Sequence, residues 1–155
     1  MPSFVSRLLR VPTLLLALTA VLGSLLVTAA ASPADASATL GQRAVAEASH
    51  HRGAPYRWGA AGPRRFDCSG FTLYVYKRLG RSLPHSASAQ YSRTRHISKS
   101  SKRPGDLVFM KSSSGRISHV GIYAGHGKWW VAPHSGSQVK LQTLYSSRYV
   151  VGRVR

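Results

Sequence analysis

From residue 107 to the end the chain takes a period of two, and that limits the fold more than any other feature. Residues 107–111, 117–124, 128–132, 139–144 and 149–154 read as short strands bounded by turn-forming residues. Connections such as Gly125-His126-Gly127 are too short for a crossover, so the strands must pair antiparallel. Ahead of Pro104 the pattern is helical. Leu40, Ala44, Val45 and Ala48 make one apolar stripe, and Phe71, Val75 and Leu79 another. The expectation is an α+β domain, with N-terminal helices packed on a curled antiparallel meander of about five strands.

A chain of 155 residues has room for one such domain, and its front reads as something else. Arg7 and Arg10 precede an apolar run over 13–31, and small residues follow at Ala34-Asp35-Ala36. Residues 1–36 are therefore expected to be a secretory signal peptide, with the folded domain at 39–155. The alternative is a retained membrane anchor, since the run is just long enough to span a bilayer. Either way the domain is expected outside the cytoplasm, secreted, or membrane-anchored if the leader stays.

One cysteine in an exported chain cannot close an internal disulfide. Cys68 stands at the start of a helical pattern, after the N-cap candidate Asp67 and ahead of Gly80 as a stop. A helix start favours thiolate, the nucleophilic form, so Cys68 is a candidate nucleophile; the plainer reading is a small buried hydrophobe. The chain carries 22 Lys and Arg against four acids, a net charge of +18. Loss of residues 1–36 removes Arg7, Arg10 and Asp35 from that balance and leaves about +17. Such a field attracts polyanions outside the cell, anionic wall polymer among them. Basic residues are not interleaved with aromatics in a run, and zinc-finger and P-loop spacings are missing, so no specific nucleic-acid partner is expected.

His50 and His51 read as exposed helix-end histidines rather than metal ligands. The Gly- and Pro-rich loop over 53–62 holds Tyr56 and Trp58, either as walls of a substrate pocket or as plugs on the core. Ser86 can cap a short helix, His85 reads as a surface loop residue, and 94–103 as a solvated linker. A cysteine nucleophile calls for an imidazole within reach. His119 is the best placed of seven histidines, sharing a strand face with Gly121 and Tyr123 opposite Val120, Ile122 and Ala124. If the Val120 face packs elsewhere, His119 looks toward the helix, with Gly121 leaving that side open; a structural histidine is the alternative.

The blocks PYRWGA, FDCSGF, LPHSASAQ, PGDLVF and ISHVGIYAG, in this order, resemble the NlpC/P60 family of papain-like cell-wall peptidases. The resemblance implies a papain-like NlpC/P60 fold, with Cys68 as nucleophile, His119 as base and Tyr56 shaping the site; Trp58 and Ser69 are the further substrate-binding candidates. It implies hydrolysis of amide bonds in peptidoglycan stem peptides, commonly between γ-D-glutamate and a diamino acid. A monomer is expected, and no metal or cofactor, since no residues offer convincing ligands. One position departs. The family's third polar residue, which orients the base, falls at Val131, and valine accepts no hydrogen bond. His134, a water or a backbone carbonyl could take over, or catalysis is lost and the chain is a wall- or polyanion-binding module. An exported toxin or amidase acting on another acyl substrate is a further alternative.

Overall fold

The computed structural model describes residues 38–155, so the expected signal peptide lies outside the described residues. Among the described residues no helix is long and apolar enough to cross a membrane.

Helix α1 (Leu40–Ser49) begins with a capping box, in which the Thr39 hydroxyl accepts from the Gln42 amide and the Gln42 side chain accepts from the Thr39 amide. Ala44 and Ala48 are fully buried on the expected stripe. Helix α2 (Cys68–Arg78) is capped by Asp67, whose Oδ1 accepts from the Gly70 amide at 2.7 Å, and stops before Gly80. Helix α3 (Ala87–Arg93) follows the cap Ser86. Three antiparallel strands come next in the order the pattern implies: β2 (Leu107–Lys111), β3 (Ile117–Gly125) and β4 (Lys128–Val131). Then come β5 (Lys140–Thr143) and β6 (Tyr149–Arg153).

The architecture is α+β, and the sheet has six strands in the order β1 (Arg95–Ile97), β6, β2, β3, β4, β5. The additional strand is β1 (Arg95–Ile97), inside the segment that the sequence presents as a linker. It pairs with β6 through backbone alone, Arg95 opposite Arg153 and Ile97 opposite Val151, so it carries no apolar alternation to read. Nor is the sheet a plain meander, since β6 leaves β5 and returns to lie between β1 and β2.

The helices cover one sheet face. Phe71 and Val75 of α2 and Ala44 and Ala48 of α1 share a core with Val120, Ile122 and Trp130, every one of them under 5% exposed. Burying a phenylalanine at this level contributes about 3–5 kcal/mol by its loss on truncation. A second cluster, Val108, Met110, Tyr123, Trp129 and Val131, lies on the opposite face. The turn before β2 is tied down by Asp106, 2% exposed, which accepts from Arg153 at 2.6 and 2.8 Å and from the Arg103 amide.

Candidate active site

The loop from Gly53 to Phe66 is laid against the start of α2 by Asp67 N to Ala60 O at 2.8 Å, closed on itself by Arg57 N to Phe66 O at 2.9 Å, and tied to the segment between β4 and β5 by Tyr56 N to Ser137 O at 2.8 Å. Asp67 reaches back to the same loop, its Oδ2 accepting from the Gly59 amide at 2.8 Å. Gly70 makes this approach possible, because a Cβ there would run into the carbonyl of Ala60. The four residues of the DCSG block thus act as cap, thiol, cleft wall and point of close contact.

Cys68 is the first residue of α2, half-buried and unpaired. The amides of Val120, Ser69 and Cys68 itself are directed at its sulfur and favour thiolate, but burial and the Asp67 carboxylate push the thiol up further than they lower it. The expected helix-start thiolate therefore yields to a protonated thiol, because desolvation outweighs three dipoles. Val120 follows His119 directly, so the sulfur meets β3 next to the candidate base.

His119 stands opposite Met110 in the β2–β3 register and edge-on to Trp129 at 5.6 Å. The helices cover the Val120 and Ile122 row, so the condition under which the sequence turns His119 toward the helix, that this row packs elsewhere, is not met. Burial first, and His134 second, hold the His119 imidazole down at about 4. At neutral pH the thiol and the imidazole are thus both uncharged.

Gly121 does not leave an open side. A Cβ there would lie 2.5 Å from Val131 Cγ1 and 2.7 Å from Trp129 Cε3, so these two side chains fill the space beyond the strand. Val131 is fully buried among them. His134 is exposed, its Nδ1–H donating to the Ser135 carbonyl at 2.9 Å, and it acts on His119 by charge; no hydrogen bond from a described residue reaches the His119 ring. Packing, rather than a polar partner, surrounds the imidazole.

A groove of about 450 Å³ runs past the sulfur, with Trp58, Cys68, Ser69, His85, Ile117 and Ser118 among its walls. Ser69 is 7% exposed and donates to Asp67 Oδ1 at 3.3 Å. Tyr56 is half-buried, and its phenol is pushed up by burial, by Cys68 and by Asp67, so it stands protonated near the sulfur. Trp58 is 83% exposed and plugs nothing.

Two histidines depart from their sequence reading. His51 is not a free helix-end side chain: it bonds Glu47 Oε1 at 3.2 Å and packs edge-on to Phe66 and Tyr74. His85 is not a plain surface residue either, since its Nε2 lies 2.9 Å from both Asp67 oxygens, beside Cys68. Its position depends on Gln90, fully buried, whose amide donates to the carbonyls of Ser69 and Pro84 at 2.8 and 2.9 Å while its oxygen accepts from Thr72. Nothing near His85 in the chain signals a partner eighteen residues back; only its membership of the LPHSASAQ block marks it.

Fold and groove define an α+β domain with a cysteine at a helix start and a histidine on the adjoining strand. Residues 53–153 match the model of the NlpC/P60 family, and the chain belongs to that family. It is 49% identical over 111 residues to "Probable endopeptidase p60" of Listeria monocytogenes, covering 70% of this chain and 22% of that protein. With murein DD-endopeptidase MepH of Escherichia coli it shares 39% over 111 residues, 66% of this chain and 41% of that one. The chain thus spans well under half the length of either relative. Among solved structures, the NlpC/p60 domain of the peptidoglycan hydrolase SagA matches with TM-score 0.68 at 37% identity, covering 75% of this chain and 100% of that one. An NlpC/P60 protein from Bacillus cereus matches with TM-score 0.71 at 26% identity, covering 75% of this chain and 40% of that one.

Proposed function

We infer that this chain is an exported cysteine endopeptidase that hydrolyses amide bonds in peptidoglycan stem peptides, with the γ-D-glutamyl–diamino acid bond as the leading candidate. The observation that carries the reading is the seating of the Cys68 sulfur at the first turn of α2, against the amide that follows His119 and open to the groove. The names of the relatives, endopeptidases and a peptidoglycan hydrolase, support the substrate class. Residues 1–36 would direct export, and the basic surface would hold the enzyme on anionic wall polymer.

The neutral pair sets the order of events. Neutral His119 takes the proton from the Cys68 thiol as the sulfur attacks the scissile carbonyl; a C–S bond forms and the carbonyl oxygen becomes an oxyanion, steadied by helix-start amides and the protonated Tyr56 phenol. The tetrahedral centre collapses, the C–N bond breaks, and the amine leaves with the proton held by His119. Water, deprotonated by His119, then attacks the thioester; the C–S bond breaks and the sulfur recovers a proton from the imidazolium. Ser69 and Trp58 border the groove where the peptide would lie. His134 shapes the field on His119 rather than bonding to it.

Incubation of the protein with muropeptides, analysed by product mass spectrometry, tests this. Cleavage by the native protein and none by Cys68→Ala is expected. Equal absence of turnover in both would leave the second reading, a wall-binding module without catalysis. The observation that favours that second reading is the fully buried Val131 at the position where the family resemblance implies a polar partner for the base.

A further inference from the structure

The loop that brings Trp58 to the groove also walls a second cavity, of about 720 Å³, and the two cavities meet at Trp58 and Gly59. Arg57, Arg64 and Arg65 line it, all exposed. The carboxylates of the described residues are committed elsewhere: Glu47 to His51 and Arg78, Asp67 to His85, and Asp106 to Arg153. No acidic side chain among the described residues therefore neutralises these three guanidinium groups. They are not carried on a frayed segment, since Arg57 N bonds Phe66 O at 2.9 Å and Gly62 N bonds Arg65 O at 2.8 Å. Beside them an indole stands 83% exposed, while Trp129 and Trp130 are buried at 0% and 4%.

We propose that this cavity is a binding subsite for an anionic, phosphodiester-linked wall polymer with sugar or polyol units, held alongside the peptide in the Cys68 groove. The proposal rests on the peptidase reading of that groove and gives the general basic charge one place of action. Guanidinium forks match phosphate oxygens in pairs, and the flat indole offers a face for the C–H side of a sugar or polyol. Continuity of the two cavities lets one wall strand occupy both. A lipid surface fits less well, because the cavity wall has one large apolar side chain among arginines, glycines, Ala60 and Pro63, and interfacial docking needs a broad apolar face. A single aromatic is likewise no stacking ladder for nucleic acid.

Because Trp58 is the one tryptophan open to solvent, acrylamide quenching of the intact protein reports on this loop. A soluble poly(glycerol phosphate) is expected to reduce quenching several-fold, neutral dextran to leave it unchanged, and a rise in salt from about 0.05 to 0.2 M to weaken the polymer effect by about tenfold or more. The R57Q/R64Q/R65Q variant should bind the polymer about tenfold or more weakly, with near-UV circular dichroism showing its fold intact. Unchanged binding by a folded variant overturns the proposal. So does protection of Trp58 in the native protein by anionic vesicles but not by the polymer, a result that needs no variant. Cys68→Ala keeps the two readings apart: it should lose hydrolysis and retain polymer protection, so either activity can fail without the other.

Discussion

His85 Nε2 sits 2.9 Å from both carboxylate oxygens of Asp67, the residue that caps the helix carrying Cys68. That carboxylate also accepts from two backbone amides and is among the causes that push the Cys68 thiol up. A donor that spreads the Asp67 charge restrains this effect. His85→Ala is therefore expected to move the thiol higher still, seen as an iodoacetamide reaction profile displaced to more alkaline pH, and to lower kcat/KM about tenfold. His85→Gln, which keeps an N–H donor, should recover part of both. An unchanged alkylation profile would show that His85 only fills space.

His119 gives a prediction with a fixed sign. Burial holds its imidazole at about 4 in the folded chain against the ordinary 6.5, so the unfolded chain binds the extra proton first. Its contribution to stability is thus complete above pH 6.5 and lost as pH falls through 4, amounting to roughly 3 kcal/mol. Urea titrations at pH 7 and 4 should show His119→Gln losing less stability than the native chain by an amount of that order. The acid limb of kcat/KM should also fall near pH 4. A limb near 6.5 would mean the imidazole is hydrated rather than buried.

Helices α1 and α2 were legible because each buries an apolar stripe of the helical period, strands β2, β3, β4 and β6 because each buries apolar residues between turn signals, and Asp67 and Ser86 announce the starts of α2 and α3, although the one residue α3 buries is Gln90. What stayed hidden rests on interactions without a local signature. Strand β1 is three residues held by backbone pairing, and His85 finds its partner across eighteen positions. The protonation of Cys68 turned on how much water its neighbours exclude, a quantity no residue pattern carries. The face on which His119 sits depended on whether the helices cover Val120 and Ile122 or the opposite row, and alternation is symmetric between the two.

Gln90 shows how a buried polar side chain serves the site at a distance. It is fully buried, and its amide ties the first turn of α2 to the Pro84 carbonyl next to His85. Gln90→Leu would keep the volume but take the side-chain donor from the Pro84 carbonyl and leave the Thr72 hydroxyl and the Ser69 carbonyl only the side-chain bond to each other. A loss of about 2–4 kcal/mol in urea unfolding is expected, with a drop in activity beyond that explained by the unfolded fraction.

Gly121 and Val131 close the argument about the base. With Cγ1 of Val131 and the Trp130 carbonyl oxygen 2.5 and 2.6 Å from where a Cβ would stand, Gly121→Ala must spread β3 from β4, two residues from His119. Overpacking of this kind costs about 1–3 kcal/mol, and displacement of the imidazole should lower kcat more than KM rises. Val131→Ala, made in the same chain, removes one of the three obstructions and should restore part of the stability, leaving the Trp130 carbonyl and the Trp129 ring in place; a double-mutant cycle measures the coupling. Val131→Asn alone asks the complementary question, since it puts an amide where only packing now surrounds the ring. If the lack of a polar partner limits the reaction, Val131→Asn should raise kcat about tenfold, while a fall would mean that the tight apolar seat is what holds His119 in place.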